Sequence, residues 1–430
     1  MSFDNQTTGS QKIELNLEGL RGFAAAVVII HHALKLEFTI DPGFSPDTNW
    51  INPLPAHSSV LIFFILSGYV IGLTNPNGLT WGDAIPYLRK RLVRLYPIYI
   101  ISLVITLIAL THDYSIWTIL GHFFFLQNIA VPVIWENNPL WSLNYEVLYY
   151  LAFIPIACLR IRTGRACIVA AISGLIYSTL LPVPLISSYC FGFVFWGSGL
   201  WLARNQFFTR QHSSRQLLFA LMCIFISHES LSPIPTSVLV LDTKFHFLSH
   251  FVSARIPFGD LYVELPFCFY LFLRFTNRTI KSSQVFLFIY VASFFIYYLH
   301  IINKYGLYSH GPHQAFYLLV PIIFLLVGTI LLVISEIKSP PTNVISLPTP
   351  LLNLGAISYA IYVIHFPIGI LLARITFFSG SALSFSVRLI IDLLLVLTIG
   401  YFLELKVQPW FKARFGSKPV SRNATSISTT

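Results

Sequence analysis

The chain has 430 residues, of which 55% are hydrophobic and only 10% are charged, whereas about 25% of residues are charged in soluble domains. Together with a mean hydropathy of +0.72, this composition excludes an ordinary soluble protein and predicts a polytopic membrane protein. The net charge of +10 does not indicate nucleic-acid binding, because the basic residues cluster in short segments between apolar runs, as in cytoplasmic loops.

The apolar runs predict an all-α, polytopic helical bundle with about ten to twelve transmembrane helices, because backbone groups inside a bilayer must be paired internally. Placing the N-terminus in the cytoplasm puts most arginines and lysines on the inner side, which predicts that both termini are cytoplasmic. We therefore expect a polar N-terminus at 1–16, a transmembrane domain at 17–410 and a tail at 411–430. The twelve candidate spans lie near residues 20–38, 58–74, 95–111, 141–159, 167–186, 188–203, 216–233, 260–274, 284–303, 315–335, 354–374 and 386–405.

The first candidate span carries unusual polar residues, namely Glu18, Arg21 and the pair His31 and His32. At about 100° per residue, Arg21 and His32 lie within about 20° of one helical stripe and about 16 Å apart along the axis, whereas His31 points about 80° away. Ionisable residues inside a span usually face an interior cavity. This spacing favours His32 over His31 as a site residue. The alternative is that Arg21 extends to the membrane surface and His32 forms a hydrogen bond with a neighbouring helix.

Two further stretches follow in the next two spans. The stretch "VLIFFILSGYVIG" at 60–72 contains Ser67 and Gly68, which either allow two helices to pack closely or offer a hydroxyl nucleophile. The stretch "RKRLVRLYPIYI" at 89–100 places Arg91 and Arg94 three residues apart. These arginines anchor the span at its cytoplasmic end, and their planar guanidinium groups also suit a phosphorylated ligand.

Two later spans also carry polar residues. Glu146 lies among aromatic and aliphatic residues in "NNPLWSLNYEVLYYL" at 137–151, and we expect an arginine or histidine of the first span to be its partner. The stretch "LGAISYAIYVIHFPIGI" at 354–370 brings Ser358, Tyr359, Tyr362 and His365 into one span, and Pro367 predicts a kink just after the histidine.

Other histidines and the cysteines give weaker signals. His246 and His250 are four residues apart and could bind a metal on a helix, but no carboxylate motif accompanies them, so an interfacial loop is the simpler interpretation. The five cysteines show no paired spacing and are expected to be small apolar filler rather than disulfides or metal ligands.

Taken together, these stretches resemble the membrane acyltransferase 3 family. That family has five motifs in order: an LDGLRG-type helix with an Arg-x10-His spacing, an FFxLSG stretch, an RxxRxYP loop, a WSLxxE motif and a closing G-x-ISYxxYxxH-x-P span. This sequence matches them at Arg21 with His32, at 63–68, at 91–97, from Trp141 to Glu146, and at 355–367. Each motif is short, and the ordered set carries the resemblance.

The sequence departs from the family pattern at several places. The family often has an acidic residue just before FFxLSG, where this chain has Val60-Leu61-Ile62, and Glu18 replaces the usual aspartate. The stretch "FFIYYLHIIN" echoes the closing motif and makes His300 a rival of His365. Many relatives carry a fused extracytoplasmic hydrolase-like (SGNH) domain, and we expect none in this sequence.

The resemblance implies an acyltransferase, of the class that transfers groups other than aminoacyl groups, in the bacterial cytoplasmic (inner) membrane. Its substrates would be cytoplasmic acyl-CoA, most simply acetyl-CoA as a co-substrate, and a hydroxyl of a carbohydrate or lipid-linked glycan, which is an O-acetylation. It implies membrane lipid as surroundings and neither nucleic acid, a metal nor a permanently bound cofactor. The implied site residues are His32, Glu146 and Arg21 for catalysis, Arg91, Arg94, Arg21 and Tyr96 for acyl-CoA, and Glu18, Ser67, Trp141, Tyr359 and His365 for the acceptor.

In the implied mechanism neutral His32 takes the proton of the acceptor hydroxyl as it attacks the thioester, with Glu146 orienting His32 or holding the acceptor. A transient acyl-histidine is the alternative mechanism. A transporter of an acylated or lipid-linked sugar is the alternative function, because intramembrane Arg, His and Glu also build ion and proton sites. A structural scaffold would leave Arg21, His32 and Glu146 unexplained.

Overall fold

The computed structural model describes residues 9–34, 40–46, 54–181, 183–205, 207–231, 255–280, 283–306, 318–337 and 347–415. His246 and His250 lie outside these ranges. The described part is almost entirely helical, and its only strands are β1 (Thr209–Arg210) and β2 (Arg278–Thr279). These strands are antiparallel, with Thr209 opposite Thr279 and Arg210 opposite Arg278.

The helices of the described ranges are numbered in chain order. Their bounds are α1 Gly9–Leu34, α2 Ala56–Thr74, α3 Ala84–Ala109, α4 Ile116–Phe123, α5 Trp141–Cys158, α6 Thr163–Thr179, α7 Pro184–Arg204, α8 Arg215–Leu231, α9 Asp260–Phe275, α10 Ser283–Tyr305, α11 Leu319–Ile337, α12 Thr349–Ala356, α13 Ser358–Ala373, α14 Ala382–Phe402 and α15 Gln408–Phe415. Two 3₁₀ turns, Trp81–Asp83 and Trp135–Leu140, precede α3 and α5, and a π-helical turn, Leu403–Val407, joins α14 to α15.

A helix covers most of each of the twelve candidate spans, which confirms the polytopic helical fold. Among the described residues, seven helices are long and apolar enough to cross a membrane, and there are eight if the bent pair α12 and α13 is one span. The other four, α5, α6, α8 and α9, have 16 to 18 residues and are shorter or more polar.

Glycines bring the site-bearing helices into backbone contact. A Cβ atom built on Gly68 of α2 would lie 1.8 Å from the carbonyl oxygen of Trp196 in α7, and one on Gly199 would lie 1.9 Å from that of Ile65. Small residues allow this close approach between membrane helices. Gly68 therefore has the packing role that its sequence suggests, and the adjacent Ser67 is held facing the interior.

The expected kink at Pro367 is not where the chain bends. The break of 72° lies between α12 and α13, at Ile357, whereas α13 continues through Pro367. Proline lacks the N–H that would bind the carbonyl of Val363 one turn earlier. Ser102 Oγ (2.5 Å) and Asn137 Nδ2 (3.0 Å) donate to that carbonyl instead, so neighbouring elements satisfy it and the helix stays intact.

Candidate functional site

A cavity of about 340 Å³ lies among α1, α2, α3, α5 and α13, which is within the usual size range of small-molecule sites. Its lining mixes apolar side chains with cationic, carboxylate and hydroxyl groups. Of the residues singled out in the sequence, it brings together Glu18, Arg21, Ser67, Arg91, Arg94, Glu146, Ser358, Tyr359 and Tyr362.

The cations of this cavity are only partly neutralised by their neighbours. Arg21 pairs with Glu18 at 2.6 Å on α1. Arg94 pairs with Glu404 of the π-helical turn and lies 5.4 Å from the ring centre of Tyr359. Arg91 donates to Thr74 Oγ1 at 3.0 Å. Among the described residues, the buried Arg91 Nε and Arg94 Nη1 have no hydrogen-bond acceptor, and such buried donors usually indicate a missing partner.

Glu146 has hydroxyl partners rather than the expected arginine or histidine of the first span. It accepts a hydrogen bond from Ser67 Oγ at 2.8 Å and another from the hydroxyl of Tyr150. Glu146 and Tyr150 are four residues apart on α5 and therefore share a face. Because that face looks onto α2, Ser67 is within reach of the carboxylate and α1 is not its partner.

His32 pairs with His365. Their Nδ1 and Nε2 atoms are 3.0 Å apart, and their ring planes are inclined by 28° with centroids 5.1 Å apart. His31 instead bonds the carbonyl of Leu54 through Nδ1 at 2.9 Å, as its different helical phase suggested. His300 is exposed on α10, so the structure places His365, and not His300, beside His32.

The histidine pair does not line the cavity, but it lies one helical turn beyond it. Tyr362 of α13 lines the cavity, and its hydroxyl is 2.8 Å from Ser142 Oγ. The carbonyl of Tyr362 accepts a hydrogen bond from His365 Nδ1 at 2.7 Å. Three residues of helix rise about 4.5 Å, so α13 carries the cavity wall and the histidine pair on successive turns.

Tyr96 and Trp141 are not part of the cavity lining. The hydroxyl of Tyr96 donates to the carbonyl of Phe123 at 2.9 Å, and the Arg255 guanidinium lies 5.6 Å from the Trp141 ring centre. Both residues therefore have partners in the surrounding structure, and their assignment to acyl-CoA and acceptor stays a prediction from the family resemblance.

The 3₁₀ turn before α5 lies outside the membrane spans and is bonded to α13. Buried Glu136 accepts hydrogen bonds from Thr111, His112 and Tyr114. Burial opposes its ionisation, but these hydrogen bonds outweigh burial and lower the pKa of Glu136 to about 2. The next residue, Asn137, is the one whose amide bonds the carbonyl of Val363, so this turn is anchored beside the histidine pair.

Several interior polar residues were not anticipated from the sequence. Tyr150 and Glu404 are among them, because nothing in the local sequence shows that they contact Glu146 and Arg94. A second buried group joins α2 to α8 and α9, where His57 pairs with Asp260 at 2.7 Å and His228 lies 3.0 Å from Glu264. Within the described ranges, no set of three or more His, Cys, Asp or Glu side chains is arranged to hold a metal.

Comparison with known proteins gives the family. The model of an acyltransferase domain, that of the acyltransferase 3 family, matches residues 14–335. A protein of Acidianus two-tailed virus, named "Putative acetyltransferase ORF330", is 28% identical over 182 residues, 41% of this chain and 51% of that protein. A Rhizobium radiobacter protein, named "Protein 2 in picA locus", is 34% identical over 89 residues, 20% of this chain and 40% of that protein.

The chain thus spans about half of the length of the first relative and less of the second, and no solved structure matches it. The family match includes α1 to α11, with Arg21, His32, Ser67, Arg91 and Glu146, and ends before the closing motif and His365. Because it covers well over half of the chain, this membrane protein belongs to the acyltransferase 3 family.

Proposed function

We propose that the protein transfers an acyl group, preferably acetyl, from cytoplasmic acyl-CoA to a hydroxyl group of a carbohydrate or lipid-linked glycan. The observation that carries this proposal is the cavity in which Arg91 and Arg94 keep buried, unpartnered guanidinium nitrogens. Guanidinium groups of this kind suit the phosphates of CoA, since they form directional, charge-assisted hydrogen bonds with phosphate oxygens.

The donor enters from the end of the bundle that carries Arg91 and Arg94, and the positive-inside rule favours this end as cytoplasmic. Arg21 lies along the same cavity, and the apolar and aromatic lining beyond it suits the uncharged pantetheine arm. Among the lining residues of α13, Tyr362 is the one nearest in sequence to His365. From there the thioester has about one helical turn to travel to reach the histidine pair.

His32 is the general base of the proposed reaction. It removes the proton of the acceptor hydroxyl while the oxygen attacks the thioester carbonyl. The C–O bond forms, the C–S bond breaks, and the imidazolium returns the proton to the thiolate of CoA. Glu146 is bonded to Ser67 and Tyr150 inside the cavity, which supports a role in holding substrate rather than in orienting His32.

The proposal is tested by following free thiol release from acetyl-CoA with purified protein and a panel of glycan acceptors. His32→Ala is expected to abolish release. Arg91→Gln and Arg94→Gln are expected to raise the KM for acetyl-CoA by about tenfold or more, consistent with one or two lost charge-assisted hydrogen bonds.

Arg89→Gln is the matched control, because Arg89 is exposed on the same helix and donates to the carbonyl of Phe415 outside the cavity. It is expected to leave the KM unchanged. Equal effects of all three arginine variants would point to general surface charge. The acyltransferase proposal fails if no acyl-CoA binds or reacts with any acceptor and His32→Ala complements cells like the wild type.

A further inference from the structure

A chain of hydrogen bonds determines which nitrogen of His365 carries a proton. His365 Nδ1 lies 2.7 Å from the carbonyl oxygen of Tyr362, and a carbonyl oxygen can only accept. Nδ1 must therefore carry the hydrogen. In neutral imidazole the other nitrogen is then an acceptor, so His365 Nε2 presents a lone pair. His365 is only 4% exposed, which favours the neutral ring.

The same reasoning extends to His32. Its Nδ1 lies 3.0 Å from His365 Nε2, and two ring nitrogens form a hydrogen bond only if one of them carries the hydrogen. Since His365 Nε2 is the acceptor, His32 Nδ1 is the donor.

We propose that His365 is a positioning residue that holds His32 in the tautomer with hydrogen on Nδ1, so that His32 Nε2 is the nitrogen that receives the acceptor proton. This inference rests on the proposed function. His365 itself neither gains nor loses a proton. When His32 becomes an imidazolium, its Nδ1–H still donates to His365 Nε2, and the new proton on Nε2 passes to the departing thiolate, so protons balance. Hydrogen-bonded partners fix the tautomer and orientation of catalytic histidines in the same way elsewhere.

The support behind His365 is rigid. The carbonyl that it bonds belongs to Tyr362, whose hydroxyl is held by Ser142. The adjacent carbonyl of Val363 is held by Ser102 and Asn137. The orientation of His32 is thus set from α3, α5 and the 3₁₀ turn through α13, and does not depend on α1 alone.

Two variants of His365 separate this role from simple packing. In His365→Gln the longer side chain places an amide oxygen near the position of Nε2, where it can accept from His32. In His365→Asn the amide reaches only the position of Nδ1, so the bond to Tyr362 is kept and the acceptor for His32 is lost. His365→Phe keeps the ring volume without either bond.

We expect His365→Asn and His365→Phe to lower kcat by about 10²-fold or more, the scale on which misoriented catalytic histidines act. His365→Gln should retain kcat to within about tenfold, and all three variants should bind acetyl-CoA with an unchanged Kd. Thermal unfolding in detergent confirms that each variant is folded. Equal losses in the Gln and Asn variants, or wild-type kcat in the Asn variant, would overturn the positioning role while His32→Ala still reported on the base. Wild-type turnover by His32→Ala would instead reject His32 as the base, and the absence of turnover in the wild type itself would reject the proposed function.

Discussion

Gly355 of α12 lies directly against the Glu18 carbonyl of α1, and a Cβ atom at position 355 would be 1.9 Å from that oxygen. The contact is between two backbones, so neither side can yield without moving a helix. It sets the distance between the segment that carries Glu18 and Arg21 and the helix pair that continues to His365.

Gly355→Ala is therefore expected to separate α1 from α12 and to destabilise the protein by about 2 kcal/mol or more, the usual cost of overpacking. Thermal unfolding in detergent measures this. Gly164→Ala on α6 is the control, because its Cβ would meet its nearest neighbour at an ordinary 3.6 Å, and alanine is the better helix former. A Gly355→Ala protein as stable as Gly164→Ala would show that the backbones are not in contact.

Removing the ion pair between Arg94 and Glu404 is expected to raise the affinity for acetyl-CoA. Glu404 competes with an incoming phosphate for the Arg94 guanidinium, so Glu404→Gln removes the competing charge while keeping an acceptor. We expect the KM for acetyl-CoA to fall about threefold or more, within the range of partly exposed charge pairs. Glu336→Gln, an exposed carboxylate bonded to Gln284, should leave the KM unchanged. A rise in KM for Glu404→Gln would mean that the carboxylate orients Arg94 rather than competing for it.

Glu136 predicts a specific dependence of stability on pH. Its pKa is lowered to about 2 from an ordinary 4.5, so the ionised carboxylate stabilises the fold above about pH 4.5, and this contribution is lost as the pH falls towards 2. Glu136→Gln should lower the free energy of unfolding at pH 7 by on the order of 1–3 kcal/mol.

The difference between wild type and Glu136→Gln should shrink when unfolding is measured at successively lower pH between about 4.5 and 2. Asp113→Asn, at an exposed position between the Glu136 partners His112 and Tyr114, serves as the control and should show no such difference. A constant gap between wild type and Glu136→Gln across this range would exclude the ionised carboxylate as its source.

The second buried polar group, in which His57 pairs with Asp260, joins α2 to α9. We expect it to stabilise the fold and to take no part in the reaction. Asp260→Asn should destabilise the protein by about 3 kcal/mol, because it leaves His57 without its anionic partner in the interior. A double-mutant cycle with His57→Gln measures the coupling. The kcat of each folded variant should stay within about threefold of the wild type, and a larger loss would bring this group into the reaction.

The sequence predicted the helices well and the pairings within them only in part. Apolar runs set the spans, and helical phase separated His32 from His31, because both depend on local regularities. The partner of His32 is 333 residues away, and no local pattern encodes such a distance. The sequence predicts a charged partner from the first span for Glu146, but the carboxylate instead contacts Ser67 and Tyr150. The rotation of α5 about its axis depends on packing against α2 and α7, which the local sequence does not encode.

Pro367 leaves the carbonyl of Val363 without a partner in its own helix, and this alters the expected effect of the proline on stability. In an ordinary helix, replacing an interior proline by alanine would gain about 3 kcal/mol. Here Pro367→Ala would add a backbone N–H that competes with Ser102 and Asn137 for one oxygen, so we expect little or no gain in stability, measured by thermal unfolding. A residue that normally breaks helices has become the element that leaves a carbonyl open for two other parts of the chain. Pro367 thus allows α13 to be hydrogen-bonded to α3 and to the 3₁₀ turn before α5.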